Sequence, residues 1–171
     1  MADPLSNVSI TMLSDMQLVS LAAPRGGVAS LSDAVSAVWG VALPRAPHHV
    51  QAGDLAFIWA GPERWLVTST GEADLTAVLN THLDGLAAMT EQGSSRITFR
   101  VSGPGARARL ATLVGIDLHP RAFAPGDTAL TIAAHMNVQL WQIDATPTYD
   151  ISVFRSLADS FHRALIGLHH P

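Results

Sequence analysis

The chemistry that this sequence offers is concentrated in one arginine-rich segment, residues 95–126. The chain has ten basic residues, none of which is a lysine, and half of them lie in this segment: Arg96, Arg100, Arg107, Arg109 and Arg121. A guanidinium stays charged and presents a planar set of donors that suits carboxylates and other oxyanions. The segment therefore predicts a surface that binds an acidic partner or an anion, and it indicates no catalytic centre.

Arg96 and Arg100 are predicted to lie on one face of a strand, residues 96–102, in which polar and apolar side chains alternate. Like charges in this arrangement repel each other unless carboxylates or a bound anion lie between them. The pair is the first candidate for contact with acidic side chains of a partner or with the carboxylates of a folate tail. The alternative is a solvated face with internal partners such as Glu91 or Asp159.

Arg107 follows the sequence Ser-Gly-Pro-Gly-Ala, residues 102–106, where the predicted strand gives way to a helix. The backbone amides of such a junction can bind an anion, with help from Arg107. The alternative is steric, because glycine permits the turn and proline fits the first helical position. The sequence is neither a phosphate-binding loop nor a dinucleotide fingerprint.

Residues 117–126 contain two prolines and end in Pro-Gly, which predicts a defined, irregular loop. We expect Asp117, His119 and Arg121 to form a charge-assisted network and Phe123 to fill an apolar socket. No nucleophile accompanies them, which favours loop ordering or docking over acid–base chemistry. Later in the chain, Arg155 and Asp159 are four residues apart, which predicts an ion pair across one helical turn.

The eight histidines predict no metal site, because none are spaced as a His-x-x-x-His pair and two of them are at the very end, His169 and His170. Four tryptophans could stack on a pterin or flavin ring, or they could pack in the core. They are Trp39, Trp59, Trp65 and Trp141.

The predicted elements that position these residues occur in the same order twice. Residues 8–90 and residues 91–168 each read as strand, helix, antiparallel strands and helix. The last helix has a predicted apolar stripe of Leu157, Phe161, Leu165 and Leu168. We therefore predict an α+β fold in which residues 1–171 form a single domain of two similar halves. Internal duplication would explain the repeat, and the two halves could be intertwined.

The composition indicates a protein that other chains partly cover. Charged residues make up 14% of the chain and hydrophobic residues 48%, whereas a typical soluble domain has about 25% charged residues. Charge depletion is typical of interface cores. We expect the isolated chain to self-associate. The alternative is that abundant alanine merely raises the hydrophobic count.

Other function classes are disfavoured by charge and hydropathy. A net charge of -4 with no basic block argues against nucleic-acid binding. No segment approaches the ~20 apolar residues of a membrane helix, and the first residues, 1–4, lack the features of a signal peptide. The sequence has no cysteine, which fits a reducing compartment. We expect a cytoplasmic protein.

Several segments resemble a known family, the gamma subunit of heterotetrameric sarcosine oxidase. The most specific are the runs Asp-Leu-His-Pro-Arg-Ala-Phe and Arg-Ser-Leu-Ala-Asp. The resembling segments occur in family order and are residues 59–67, 100–104, 117–126 and 149–159.

The resemblance implies a fold like the folate-binding domain of the glycine-cleavage T-protein. It also implies membership of a complex that demethylates sarcosine oxidatively to glycine, with formaldehyde or methylenetetrahydrofolate and hydrogen peroxide as products. The resemblance further implies that FAD, FMN and NAD belong to partner subunits, named alpha, beta and delta, and that the gamma chain is not expected to supply a catalytic group. The alternatives are a stand-alone folate-binding or one-carbon-transfer protein, or the equivalent subunit of another N-methyl amino acid dehydrogenase.

Overall fold

The computed structural model describes residues 7–167. The predictions that concern residues 1–4, Leu168 and the final two histidines lie outside the described residues. In chain order the elements are β1 (Ser9–Leu13), β2 (Gln17–Ala22), α1 (Val28–Trp39), β3 (His49–Ala52), β4 (Leu55–Trp59), β5 (Arg64–Ser69), α2 (Leu75–Leu83), β6 (Ala88–Glu91), β7 (Arg96–Ser102), α3 (Ala106–Ala111), β8 (Thr128–Ala133), β9 (Met136–Asp144), β10 (Thr148–Phe154), a 3-10 turn (Arg155–Leu157) and α4 (Ala158–Leu165).

Residues 15–94 form one of two compact units. Its sheet has the strand order β3-β4-β5-β2-β6, and every neighbouring pair is antiparallel. Helices α1 and α2 pack their apolar sides on this sheet because burying those side chains removes apolar surface from water. The core includes Leu31, Val35, Phe57, Val67 and Leu79.

The other unit combines residues 7–14 with residues 95–167. Its antiparallel sheet has the order β1-β7-β10-β9-β8, and α3 and α4 contribute to its core. The Phe99 ring on β7 lies 5.7 Å from the Phe161 ring on α4, centroid to centroid. The core also contains Leu110, Ile151 and Leu165.

The two units have the same topology. Each contains a strand, a helix, three antiparallel strands and a helix, and each sheet ends with one more strand beside the first. In residues 15–94 that last strand is β6, which follows α2 directly. In the other unit it is β1, from the start of the chain. The halves predicted as residues 8–90 and 91–168 therefore differ from the observed units, since β1 pairs with β7 in register Ile10↔Val101.

Helix α1 buries only part of its row of apolar residues. Leu31 and Val35 are buried, whereas Val38, one turn later, is 41% exposed. The helix ends at Gly40, whose φ of 70° is the left-handed conformation that favours glycine. At 12 residues it is the longest helix within residues 7–167, and no helix in that range is both long and apolar enough to cross a membrane.

Two short strands, β3 and β6, were not predicted from the sequence pattern. β3 lies in a segment that prolines and histidines mark as a loop, and β6 directly follows the second predicted helix. Each has only four residues and lies at the edge of the sheet. Short, partly exposed edge strands carry little alternation, so pairing with a longer neighbour defines them.

Candidate functional site

Arg100 forms an ion pair inside its own sheet. Its Nε and Nη2 atoms each donate a hydrogen bond of 2.8 Å to the two carboxylate oxygens of Asp150. Arg100 on β7 and Asp150 on β10 are direct cross-strand partners, and the Asp150 side chain is only 1% exposed. The hydrogen bond to Asp150 is the main reason that the pKa of Arg100 is raised. The internal partner is thus Asp150, not Glu91 or Asp159. Arg100 therefore stabilises the fold of this chain.

Arg96 has a different environment from Arg100. Its guanidinium lies over the Phe154 ring, 4.6 Å from the centroid, and Phe154 is its cross-strand partner. Burial lowers the pKa of Arg96, although an arginine remains charged at neutral pH. The two arginines share a face as predicted, and only Arg100 is neutralised by a carboxylate within residues 7–167.

Arg107 holds the single tyrosine of the chain. Its Nε donates a 3.0 Å hydrogen bond to the Tyr149 hydroxyl, and Tyr149 is fully buried. Burial raises the pKa of Tyr149, and the nearby Arg107 charge partly opposes that rise. Arg107 also borders a cleft of about 540 Å³ together with Asp117 and His119. These three are the only predicted site residues among the cleft's described lining residues.

The amides at the junction before α3 are used within the protein. Gly103 N donates to Pro147 O at 3.2 Å, Gly105 N donates to Asn7 O at 3.2 Å, and Ala106 N donates to Gly103 O at 2.9 Å. Gly103 has a φ of 104°, and a Cβ there would collide with the Asn7 carbonyl oxygen. These contacts favour the steric interpretation of the junction over an anion site.

The loop of residues 117–126 is ordered by bonds to its backbone. The Asp117 carboxylate accepts from His119 N at 2.8 Å, and His119 Nδ1 accepts from Arg121 N at 3.2 Å. The predicted network between the charged side chains is therefore wrong, because both side chains cap local turns instead. Phe123 fills an apolar socket as predicted and is only 5% exposed, so it is not an accessible contact. The Arg121 side chain is exposed.

The ion pair predicted between Arg155 and Asp159 does not form. Arg155 belongs to the 3-10 turn that precedes α4, so the two residues are not one α-helical turn apart. Its Nη2 donates to Arg96 O at 3.2 Å, and Asp159 is exposed in the first turn of α4. Arg155 thus lies next to Arg96.

The structural roles of two polar residues were not predicted from the sequence. One is Asp150, whose pairing with Arg100 required the strand register. The other is Arg109, whose Nε donates to Leu165 O at 2.7 Å and whose Nη2 donates to Ala164 O. Arg109 thus satisfies carbonyls at the end of α4, where a cation is also favoured by the helix dipole. Its signal in the sequence is no more than a basic residue on a short helix.

The predicted site residues therefore form separate groups that can bind carboxylates or hold the fold. Arg96 and Arg155 lie together, Arg107, Asp117 and His119 border the cleft, and Arg100 is paired with Asp150. Within residues 7–167, no three histidine, aspartate or glutamate side chains are grouped so that they could hold a metal ion.

Comparison with known proteins identifies the family of the chain. Residues 25–167 match the model of the family described as Sarcosine oxidase, gamma subunit family. A sarcosine oxidase subunit gamma from Corynebacterium sp. (strain P-1) is 34% identical over 121 residues, which cover 68% of this chain and 57% of that protein. The Arthrobacter sp. counterpart is 30% identical over 112 residues, 64% of this chain and 55% of that protein. The matches thus span little more than half of these relatives.

Solved structures support the fold. A chain of the heterotetrameric sarcosine oxidase from Corynebacterium sp. U-96, in complex with pyrrole 2-carboxylate, matches with a TM-score of 0.80 and 27% identity, over 94% of this chain and 83% of that chain. The glycine cleavage system aminomethyltransferase T from Bartonella henselae matches with a TM-score of 0.64 and 15% identity, over 94% of this chain and 46% of that chain. The predicted α+β fold, like that of the T-protein, is confirmed. Because the family model matches most of its length, the chain belongs to the sarcosine oxidase gamma subunit family.

Proposed function

We propose that this chain is a noncatalytic subunit of a sarcosine oxidase complex, with a role in assembly. The complex converts sarcosine, water and O2 to glycine, formaldehyde and hydrogen peroxide, or passes the one-carbon unit to tetrahydrofolate as methylenetetrahydrofolate. The observation that carries the proposal is the match, with a TM-score of 0.80 over 94% of the chain, to a chain of a heterotetrameric sarcosine oxidase. Its partners are the alpha, beta and delta subunits.

The arginines of this protein support a noncatalytic role. Arg100 binds Asp150, Arg107 binds Tyr149 and Arg109 binds the end of α4. Each of these cations acts on the protein's own fold, and a catalytic group would instead need to reach a substrate. The proposal assigns FAD, FMN and NAD to the other subunits, as the family resemblance implies, and it places the complex in the cytoplasm.

Co-expression with the other subunits tests the proposal. The tagged chain should retain alpha, beta and delta chains on an affinity column, and the eluted complex should produce hydrogen peroxide when sarcosine is added. The isolated chain should produce none. Peroxide production by the isolated chain, or a failure to retain any subunit, would contradict the proposal. The same complex is also supplied with N-methyl amino acids other than sarcosine. This tests the alternative that the chain is the equivalent subunit of another N-methyl amino acid dehydrogenase.

Folate binding by the chain alone is the second candidate, and the structure weakens its residue-level support. It relied on Arg96 and Arg100 as a pair for the folate carboxylates, and Arg100 is now committed to Asp150. Calorimetry of the isolated chain with tetrahydrofolate separates the two. Heat that saturates with one ligand per chain would favour this candidate, and its absence at high ligand concentration would remove it.

A further inference from the structure

The sheet face that carries Arg96 is polar and buried in its interior, and apolar and exposed at one end. Direct cross-strand pairs join Leu130, Gln139, Ser152 and Thr98 in one row across β8, β9, β10 and β7. Paired residues share a face, and so do residues two apart on one strand. Arg96, Phe154 and Ile132, each two residues beyond that row, therefore lie on the same face at one end of the sheet.

This end of the face is unusually apolar for an exposed surface. Leu130 is 53% exposed, Ile132 is 56% exposed and Phe154 is 43% exposed, whereas Thr98 and Ser152 in the interior of the same face are fully buried. A groove of about 330 Å³ lies here, and Arg96, Leu130, Ile132 and Gln139 contribute to its lining. We call the surface formed by Arg96, Leu130, Ile132 and Phe154 the Arg96 groove.

Arg96, the cation of the Arg96 groove, has no carboxylate partner within residues 7–167. Arg96 is partly buried and stacked on Phe154, and no carboxylate within residues 7–167 pairs with it. A second guanidinium, that of Arg155, approaches its backbone oxygen. Removing a charge from water is costly unless a counter-charge replaces the lost hydration. The groove therefore combines exposed apolar side chains with the Arg96 guanidinium, which no carboxylate within residues 7–167 neutralises.

We propose that the Arg96 groove is the surface through which this chain docks on another subunit, which places an aspartate or glutamate carboxylate on Arg96 and an apolar side chain against Leu130 and Ile132. The inference rests on the proposed function, since it assumes that partner subunits exist. The occupant follows from charge complementarity: a bidentate carboxylate matches the planar guanidinium. A desolvated arginine surrounded by apolar contacts is also typical of the residues that dominate interface energetics.

Two variants test the charge and the apolar part separately. Arg96→Met keeps an unbranched side chain over Phe154 and removes the charge. Ile132→Glu places a carboxylate where the partner's apolar side chain would pack. Val38→Glu is the matched control, because Val38 is a similarly exposed apolar residue, 41%, in the other unit. Each variant is co-expressed with the other subunits, and the affinity for them is measured over a range of salt concentrations.

We expect Ile132→Glu to weaken binding at least about tenfold and Arg96→Met to weaken it about three- to tenfold, with Val38→Glu unchanged. Arg96→Met should also flatten the salt dependence seen with the wild type, because the charge pair is screened by ions. Circular dichroism and thermal unfolding establish that each variant folds. If Ile132→Glu unfolds, Ile132→Ser replaces it, with a smaller expected loss of binding.

Three outcomes overturn the inference. Folded variants that bind like the wild type leave the proposed function standing and remove the groove as the docking surface. A wild-type chain that retains no subunit removes both. A dimer of the isolated chain that Ile132→Glu dissociates, with subunit binding unaffected, assigns the groove to a second copy of this chain.

Discussion

The Arg100–Asp150 pair shows how one residue's role depends on its cross-strand partner. The carboxylate of Asp150 is buried and receives two hydrogen bonds from one guanidinium. If the guanidinium were removed, a charged group would remain in a site with little water, which costs more than the loss of a surface ion pair. The Arg100 side chain is 38% exposed, so solvent moderates that cost.

We predict that Arg100→Met lowers the free energy of unfolding by about 2–3 kcal/mol, since it removes the two hydrogen bonds that the buried Asp150 carboxylate accepts from the guanidinium. Urea denaturation followed by circular dichroism measures the change. Arg64→Met, at an exposed arginine on β5, is the control and should stay within about 0.5 kcal/mol of the wild type. Equal effects of the two substitutions would show that the ion pair contributes nothing specific.

Tyr149 makes a pH-dependent contribution whose sign follows from its burial. Burial raises the pKa of its phenol, and Arg107 opposes that rise. In the unfolded chain the phenol titrates near pH ~10, so the unfolded chain releases its proton first. The contribution of Tyr149 to stability is therefore fully present below that pH and is lost as the pH rises from there through the higher pKa of the folded chain.

Because the chain has one tyrosine, phenolate absorbance reports Tyr149 alone. We predict that its titration midpoint lies above that of a free tyrosine and that Arg107→Met raises it further, since the nearby positive charge is lost. Arg163→Met, a substitution at another arginine of the same unit, should leave the midpoint unchanged. A lower midpoint in Arg107→Met would contradict the assignment of Arg107 as the group that favours the phenolate.

At the level of elements, Gly103 connects the start of the chain to the second half. Its positive φ and the nearby Asn7 carbonyl leave no room for a side chain. The carbonyl of Asn7 also accepts a hydrogen bond from Gly105 N. The Ser-Gly-Pro sequence therefore permits the chain next to β1 to approach the end of β7, which explains its place in the fold without a ligand.

Gly103→Ala should lower the free energy of unfolding by about 2–3 kcal/mol, because it combines left-handed backbone strain with a collision at the Asn7 carbonyl. Thermal or urea unfolding gives the value. Gly115→Ala is the control in the same unit: its φ is not in the left-handed region and a Cβ there would have nothing within 4 Å. An equal loss in both variants would mean that the close approach at Gly103 is unimportant.

The strands with strong alternation could be predicted from the sequence, and the edge strands could not. β7 has the bounds expected from its pattern, Arg96–Ser102. β3 and β6 were missed because four residues at a sheet edge need no continuous apolar face. The position of β1 was also missed, because pairing between residues 9–13 and 98–102 leaves no local pattern.

For the whole molecule, the low fraction of charged residues remains the feature that argues for partners. Only 14% of the residues are charged, and several large apolar side chains are exposed on the chain, among them Leu130 and Ile132. Exposed apolar groups associate when another surface can cover them. This property is independent of the identity of the partner.

We predict that the isolated chain self-associates or aggregates, because nothing then covers its exposed apolar residues. Light scattering at increasing protein concentration measures the effect, and co-expression with the partner subunits should suppress it. A monodisperse, highly soluble monomer over the same concentration range would contradict the prediction.

By itself the sequence determined the α+β class, the repeated order of elements, the alternation of β7 and the family, because periodicity and motif are local properties of the chain. The tertiary structure decided which arginines are available. Arg96 and Arg100 have the same local pattern, yet Asp150, fifty residues further along the chain, neutralises only Arg100. A charge acts over distances in space rather than along the chain, so only the strand register could separate Arg100, which is paired with Asp150, from Arg96, which no carboxylate within residues 7–167 neutralises.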